Sequence, residues 1–192
     1  MDIVVATSNK HKIEEFNQMG KNYNLHFLSL EDINFNQEVI EDGKTFAENS
    51  LIKARAVSSF TSLPVLSDDS GIIIQALGNN VPGVYSHRYA DENGGQEALN
   101  QKLSSTVAGS YAYFSCVLTY INKGEVHQFE GIMEGKISSK VQNKNGFGYD
   151  PIFIPKGYDE PISTLSPKEK NGISHRSLAF KKFINFIFSA NV

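Results

Sequence analysis

Between Ile3 and Leu30 the chain runs from a β-branched apolar stretch through a helical pattern to a second apolar stretch. This order limits the possible folds more than any other feature. Ile3 to Ala6 reads as a short strand that stops at Thr7-Ser8-Asn9, three residues that favour helix caps. The spacing predicts a helix from Lys10 to Met19 with Ile13 and Phe16 on one face, closed by Gly20. Leu25 to Leu30 reads as the next strand. A β-α-β opening favours an α/β fold with a parallel strand pair.

The later chain adds helices and strands of both kinds. Thr45-Phe46-Ala47-Glu48 fits a capping box, with Ala47, Leu51 and Ala54 forming a helical stripe that runs towards Phe60. Pro64-Val65-Leu66, Ser67-Asp68-Asp69-Ser70-Gly71 and Ile72-Ile73-Ile74 read as strand, turn, strand. Gln96 to Leu103 reads as a helix. Tyr111 to Ile121 and Val126 to Ile137 read as long strands joined at Asn122-Lys123-Gly124. Ser174 can cap a helix from His175 to about Phe188, with Leu178, Phe183, Ile184 and Ile187 as its apolar side. The expected fold is α/β, a mixed sheet with helices around it. Residues 1–192 form a single domain, with no repeat, low-complexity tract or linker inside it.

Composition narrows the function. The chain carries 18 basic and 21 acidic residues, a net charge of −3. A protein that grips a nucleic-acid backbone normally has a basic excess, so nucleic acid is not an expected partner. Cys116, the sole cysteine, sits in a strand pattern and reads as a small buried hydrophobe; neither a disulfide nor a cysteine-based metal site can be built from it. Met1-Asp2-Ile3-Val4-Val5 enters a strand directly, without a signal core. No apolar run approaches the roughly 18 residues of a membrane span. A cytoplasmic protein without membrane contact is expected.

Four segments could carry chemistry. Thr7-Ser8-Asn9-Lys10-His11-Lys12 lies where a strand ends and a helix begins. Free N–H groups and the helix dipole suit phosphate there, and Lys12 adds a full charge. An ordinary cap with solvated lysines fits the same residues, and His11 is expected to face solvent. Asp68-Asp69 places two adjacent carboxylates in an apolar stretch. A hard cation such as Mg²⁺ relieves their repulsion and lost hydration; a turn also suits Asp-Asp-Ser-Gly. Glu38, Glu41 and Asp42 upstream read as loop charges, of which one could complete a cation site, whereas Glu48 is assigned to the capping box.

Gly146-Phe147-Gly148-Tyr149-Asp150-Pro151 offers glycines for close backbone approach and two aromatic faces for a base, with Asp150 able to accept from a ring N–H. A glycine-rich turn with buried aromatics fits it equally. Lys168-Glu169-Lys170-Asn171-Gly172-Ile173-Ser174-His175-Arg176 gathers hydrogen-bond donors at a helix start, which suits either an oxygen-rich ligand or the surface.

Taken in order, these segments resemble the inosine triphosphate pyrophosphatase family, also called Ham1-like. The matching runs are Thr7 to Lys12, Glu41 to Asn49, Ser67 to Gly71, Pro82 to Ser86, Gly146 to Pro151 and Ser174-His175-Arg176, and together they cover essentially the whole chain. Each run alone is weak; the ordered set is specific. Two residues depart from the family pattern. Ser8 stands where glycine is frequent, tolerable if its backbone is not left-handed, and His87 stands where a small residue is common.

The resemblance implies an elongated mixed sheet in two lobes with a cleft, as a homodimer. It implies hydrolysis of ITP, dITP and XTP to the monophosphate and pyrophosphate, with Mg²⁺. It also implies that Thr7, Ser8, Asn9, Lys10, His11 and Lys12 hold phosphates. Asp69 is implied as general base and metal ligand, with Glu41 and Asp68 helping to hold the cation. Ser70, Phe147, Gly148, Tyr149, Asp150, Lys170, His175 and Arg176 are implied to bind the nucleotide. The chemistry is consistent with this. Breaking a bond between phosphates needs cationic charge and an oriented water. Deaminated purines carry a 6-carbonyl in place of an amino group, which donors such as Lys170, Arg176 or backbone N–H groups can distinguish. A Maf-like pyrophosphatase with another base preference and a nucleotide-binding regulator without activity are the competing readings. Retention of Lys12, Asp68 and Asp69 weighs against the second.

Overall fold

The computed structural model describes residues 1–189. The strands are β1 (Asp2–Val5), β2 (His26–Leu28), β3 (Val65–Ile74), β4 (Tyr111–Asn122), β5 (Glu125–Ile137) and β6 (Phe153–Pro155). The helices are α1 (Lys10–Gly20), α2 (Phe46–Ser58), α3 (Ser86–Glu92), α4 (Gln96–Thr106), α5 (Pro167–Ile173) and α6 (His175–Ser189). The strands form one mixed sheet in the order β2-β1-β3-β4-β5-β6. β1 pairs in parallel with both β2 and β3, whereas β5 and β6 are antiparallel. The β-α-β opening and the mixed sheet both follow the sequence.

Local signals set the element ends. Asn9 caps α1 by accepting from the His11 N–H at 3.0 Å. In α2 the capping box is complete: Thr45 accepts from the Glu48 N–H at 3.1 Å and Glu48 accepts from the Thr45 N–H at 3.2 Å. β4 and β5 turn at Lys123 (φ 50°) and Gly124 (φ 85°), the pair of left-handed conformations that a tight hairpin needs. Ser8 is not among the residues with left-handed backbone, so its side chain is accommodated.

One expectation is overturned. Asp68-Asp69-Ser70-Gly71 is not a turn; β3 runs unbroken from Val65 to Ile74. Pairing of Val65 and Leu66 with β1 and the apolar residues on either side outweigh the turn propensity of the four. The carboxylate that this buries is met by buried cations.

The chain divides into two compact units. The first comprises Met1–Asp69, Cys116–Gly131 and the chain from Arg176 onward. Alternate residues of β1, together with the residue that follows it, serve its two cores. Ile3 and Val5 pack with Phe16, Leu118, Phe180 and Phe183, while Val4 and Ala6 pack with Ala54, Val57 and Val65 of α2 and β3. The second unit, Ser70–Ser115 and Ile132–His175, is built around Ile72, Ile74, Leu99, Phe114, Tyr149 and Phe153. No helix among the described residues is long and apolar enough to cross a membrane.

Candidate active site

In the first unit the charged groups gather around Asp68 and Asp69. Asp68 is fully buried. Its Oδ1 accepts from Lys12 Nζ at 2.6 Å, and its Oδ2 accepts from Arg176 Nε at 2.6 Å and from the Cys116 thiol at 3.3 Å. Arg176, in the first turn of α6, also donates to Glu15 Oε2 at 2.5 Å. Lys12 and Glu15 lie three residues apart and so share a face of α1. The four charges form a chain, Lys12–Asp68–Arg176–Glu15, that ties α1, β3 and α6 together. Burial alone would raise the Asp68 carboxyl, but Arg176 and Lys12 outweigh it and hold Asp68 well below the usual carboxylate range.

Asp69 has different surroundings. Its Oδ1 accepts from Lys53 Nζ at 3.2 Å, and its Oδ2 is buried without a hydrogen-bond partner. Burial pushes its carboxyl above the usual range despite the pull of Lys53 and Lys12. Lys53 also donates to Glu41 Oε1 and to the Asp68 carbonyl, each at 2.8 Å. Burial disfavours the Lys53 charge, yet Asp69 and Glu41 raise its pKa overall. The loop that carries Glu41 is fastened to α2, since the Gly43 N–H donates to Asn49 Oδ1 at 2.8 Å. Only glycine fits there: a Cβ at Gly43 would lie 2.6 Å from that oxygen. Ser50 and Ser67, both buried, bond each other at 2.8 Å and join α2 to β3 next to Asp68.

Of the residues at the start of α1, Lys12 alone reaches this cluster. The Thr7 hydroxyl accepts from the Asn9 N–H at 3.1 Å, so Thr7 and Asn9 shape the cap. Ser8, Lys10 and His11 are exposed, as expected for His11. Among the described residues no three His, Cys, Asp or Glu side chains are gathered as a ready metal cage. Mg²⁺ does not require one, because it binds through one or two carboxylates plus waters and substrate phosphates. Asp69, with one buried oxygen unpartnered, and the nearby Glu41 fit that description. Asp68, with both oxygens engaged by donors, does not offer a similar open position.

In the second unit the candidate groups centre on the loop before β6. Gly148 has φ +60°, and its carbonyl accepts from Asn100 Nδ2 at 2.9 Å. A Cβ at Gly146 would lie 2.7 Å from the Asp150 Cβ, so the loop needs glycine there too. Asp150 is buried, and its Oδ2 accepts from Lys170 Nζ at 2.8 Å. The Lys170 ammonium lies 4.8 Å from the centre of the Phe147 ring, which is exposed. Tyr149 faces the core and donates its hydroxyl to the Ser86 carbonyl at 2.6 Å. Of the two aromatics, Phe147 is thus the exposed one. Ser70, beside Asp69 on β3, is half-buried. His175 is buried and stacks on Phe114, with ring centres 4.8 Å apart.

Sequence reasoning missed Lys53, Glu15 and the Cys116 thiol donor. Lys53 had a readable signal: it follows the buried residues Asn49 and Ser50 at helical spacing, so it lies on the packed face of α2. Glu15 and Cys116 had none, because their partners lie 161 and 48 positions away.

A model of the Ham1 family matches residues 3–186. The dITP/XTP pyrophosphatase of Malacoplasma penetrans is 42% identical over 200 residues, covering 97% of this chain and 98% of that protein. The dITP/XTP pyrophosphatase of Bacillus subtilis is 40% identical over 187 residues, covering 94% of each. Two solved structures have a similar fold. The Ham1 protein of Staphylococcus aureus has a TM-score of 0.84 at 35% identity, covering 99% of this chain and 100% of that one. A HAM1 protein from Coxiella burnetii has a TM-score of 0.87 at 34% identity, covering 98% and 99%.

Proposed function

The chain belongs to the Ham1 family, and from that membership we propose that it hydrolyses non-standard purine nucleoside triphosphates (ITP, dITP and XTP) to the monophosphate and pyrophosphate, clearing them from the nucleotide pool. The observation that carries this reading is Asp69 Oδ2, a buried carboxylate oxygen without a partner in a cluster that also holds Lys12, Lys53 and Glu41. A site for a triphosphate needs cationic groups for its oxygens and a base for its water, and this cluster has both.

Asp69 and Glu41 would hold a divalent cation, taken as Mg²⁺, which would supply charge neutralisation at the phosphates. Asp69 takes the proton from the attacking water, a task suited to a carboxylate whose affinity for protons burial has increased. Lys12, with the first turn of α1, binds phosphate oxygens. Asp68 orients Lys12, while Arg176, itself held by Glu15, fixes Asp68. Thr7 to His11 contribute backbone and cap groups at the same helix end.

Phe147 provides a face for the base. Lys170 and Asp150 offer a donor beside an acceptor, 2.8 Å apart. Hypoxanthine presents a 6-carbonyl beside an N1–H, which is the complementary pattern; adenine presents the reverse. Arg176 already gives Nε and one terminal nitrogen to carboxylates, so selection of the base rests on Lys170 and Asp150. Ser70, Gly148, Tyr149 and His175 shape the surroundings of the nucleotide. In this reading residues 1–192 act as one catalytic domain, a cytoplasmic homodimer. The test is pyrophosphate release from ITP, XTP and ATP with and without Mg²⁺. Release from ITP and XTP only when Mg²⁺ is present supports the reading, and equal turnover of ATP overturns it.

A further inference from the structure

Lys53 lies beside the two carboxylates assigned to the divalent cation. An ammonium has three N–H donors, and all three have acceptors: Glu41 Oε1 at 2.8 Å, the Asp68 carbonyl at 2.8 Å and Asp69 Oδ1 at 3.2 Å. Two of these acceptors belong to the carboxylates assigned to the divalent cation. The side chain is about nine-tenths buried, with 12% of its surface exposed, so its charge depends on these three acceptors.

We infer that Lys53 is a built-in counter-cation that couples binding of the divalent cation to binding of the triphosphate. In the nucleotide-free protein its ammonium balances Asp69 and Glu41. A divalent ion bound through the open Asp69 Oδ2 and through Glu41 meets that positive charge across the same two carboxylates, and at this range the two repel strongly. The ammonium therefore leaves Glu41 and Asp69 while its third bond, to the Asp68 carbonyl, remains as a tether. Two N–H donors are then released in a buried setting, where unmade hydrogen bonds are costly. The acceptors that arrive with the cation are the oxygens of the triphosphate. The ion alone thus binds weakly, and ion and nucleotide favour one another; such coupling is reciprocal.

This rests on the reading that Asp69 and Glu41 hold the cation, but its test does not require turnover. Mn²⁺ binding to nucleotide-free protein is measured by electron paramagnetic resonance at pH 8 for the wild type, Lys53→Met and Lys53→Gln. Removing the ammonium should tighten Mn²⁺ binding by about fivefold or more, while both variants lose turnover of ITP. Unchanged or weaker Mn²⁺ binding in the folded variants overturns the coupling. If neither variant folds, the wild type still decides: the ammonium signal of Lys53 in nitrogen-15 spectra should shift or vanish when Mg²⁺ alone is added, and an unmoved signal overturns the proposal. A wild-type protein that releases no pyrophosphate from ITP would instead remove the functional reading itself.

Discussion

Asp68 and Asp69 are neighbours on β3 with identical side chains, but the charges around them differ. Asp68 is bound by Lys12, Arg176 and the Cys116 thiol, while Asp69 has Lys53 on one oxygen and nothing on the other. Asp68→Asn should therefore destabilise the fold by about 3–5 kcal/mol, because Lys12 and Arg176 lose the charge that offsets their burial. Asp69→Asn should change stability by no more than about 1 kcal/mol, since Lys53 keeps Glu41 and the Asp68 carbonyl. Its hydrolysis should fall about 10²-fold or more, as the amide cannot take a proton. Urea denaturation together with a pyrophosphate assay checks both. Lys170 holds Asp150 and is read as the donor to the base. Its removal should lower the ITP-to-ATP ratio of kcat/KM by about tenfold, the worth of one charged donor on a buried carbonyl. A parallel fall for both substrates would return Lys170 to a role in holding Asp150. That the paired aspartates needed positive charge beside them was legible from sequence. Their division of labour was not, because the groups that divide them lie 56 and 108 positions away from Asp68.

At the scale of elements, the caps were the most legible part of the chain. Thr45 and Glu48 act within four residues of each other, and the hairpin at Lys123-Gly124 depends on two backbone conformations. Such features need no tertiary information. The run Asp68-Asp69-Ser70-Gly71 was misread as a turn because its strand character comes from pairing with β1 and from buried cations, both non-local. The α2 region shows how an element carries the site. The Gly43 N–H holds Asn49, and Asn49 is buried, so the loop with Glu41 is placed by helix packing. Gly43→Ala puts a methyl group against the Asn49 amide and Glu48. It should break that bond and cost about 1–3 kcal/mol, the penalty for an unsatisfied buried polar group. Chemical denaturation measures the loss; an unchanged midpoint would show that the loop does not depend on this anchor.

Across the whole molecule, the order of the motifs carried most of the information. Single segments such as Gly146 to Pro151 admit both a ligand loop and a plain turn, and in the structure Phe147 is exposed while Tyr149 lies in the core. Membership of the Ham1 family agrees with the ordered set and with a sheet that is parallel at one edge and antiparallel at the other. Each unit holds candidate groups of its own, the Asp68–Asp69 cluster in the first and the Lys170–Asp150 pair in the second. The central claim is that this chain selects a deaminated purine triphosphate and releases pyrophosphate from it. The most direct measurement is a competition, in which equal amounts of ITP and ATP are incubated with the protein and Mg²⁺ and the products are separated by chromatography. The account predicts IMP and pyrophosphate, with ATP left almost intact. IDP with orthophosphate, or AMP formed as fast as IMP, would contradict it.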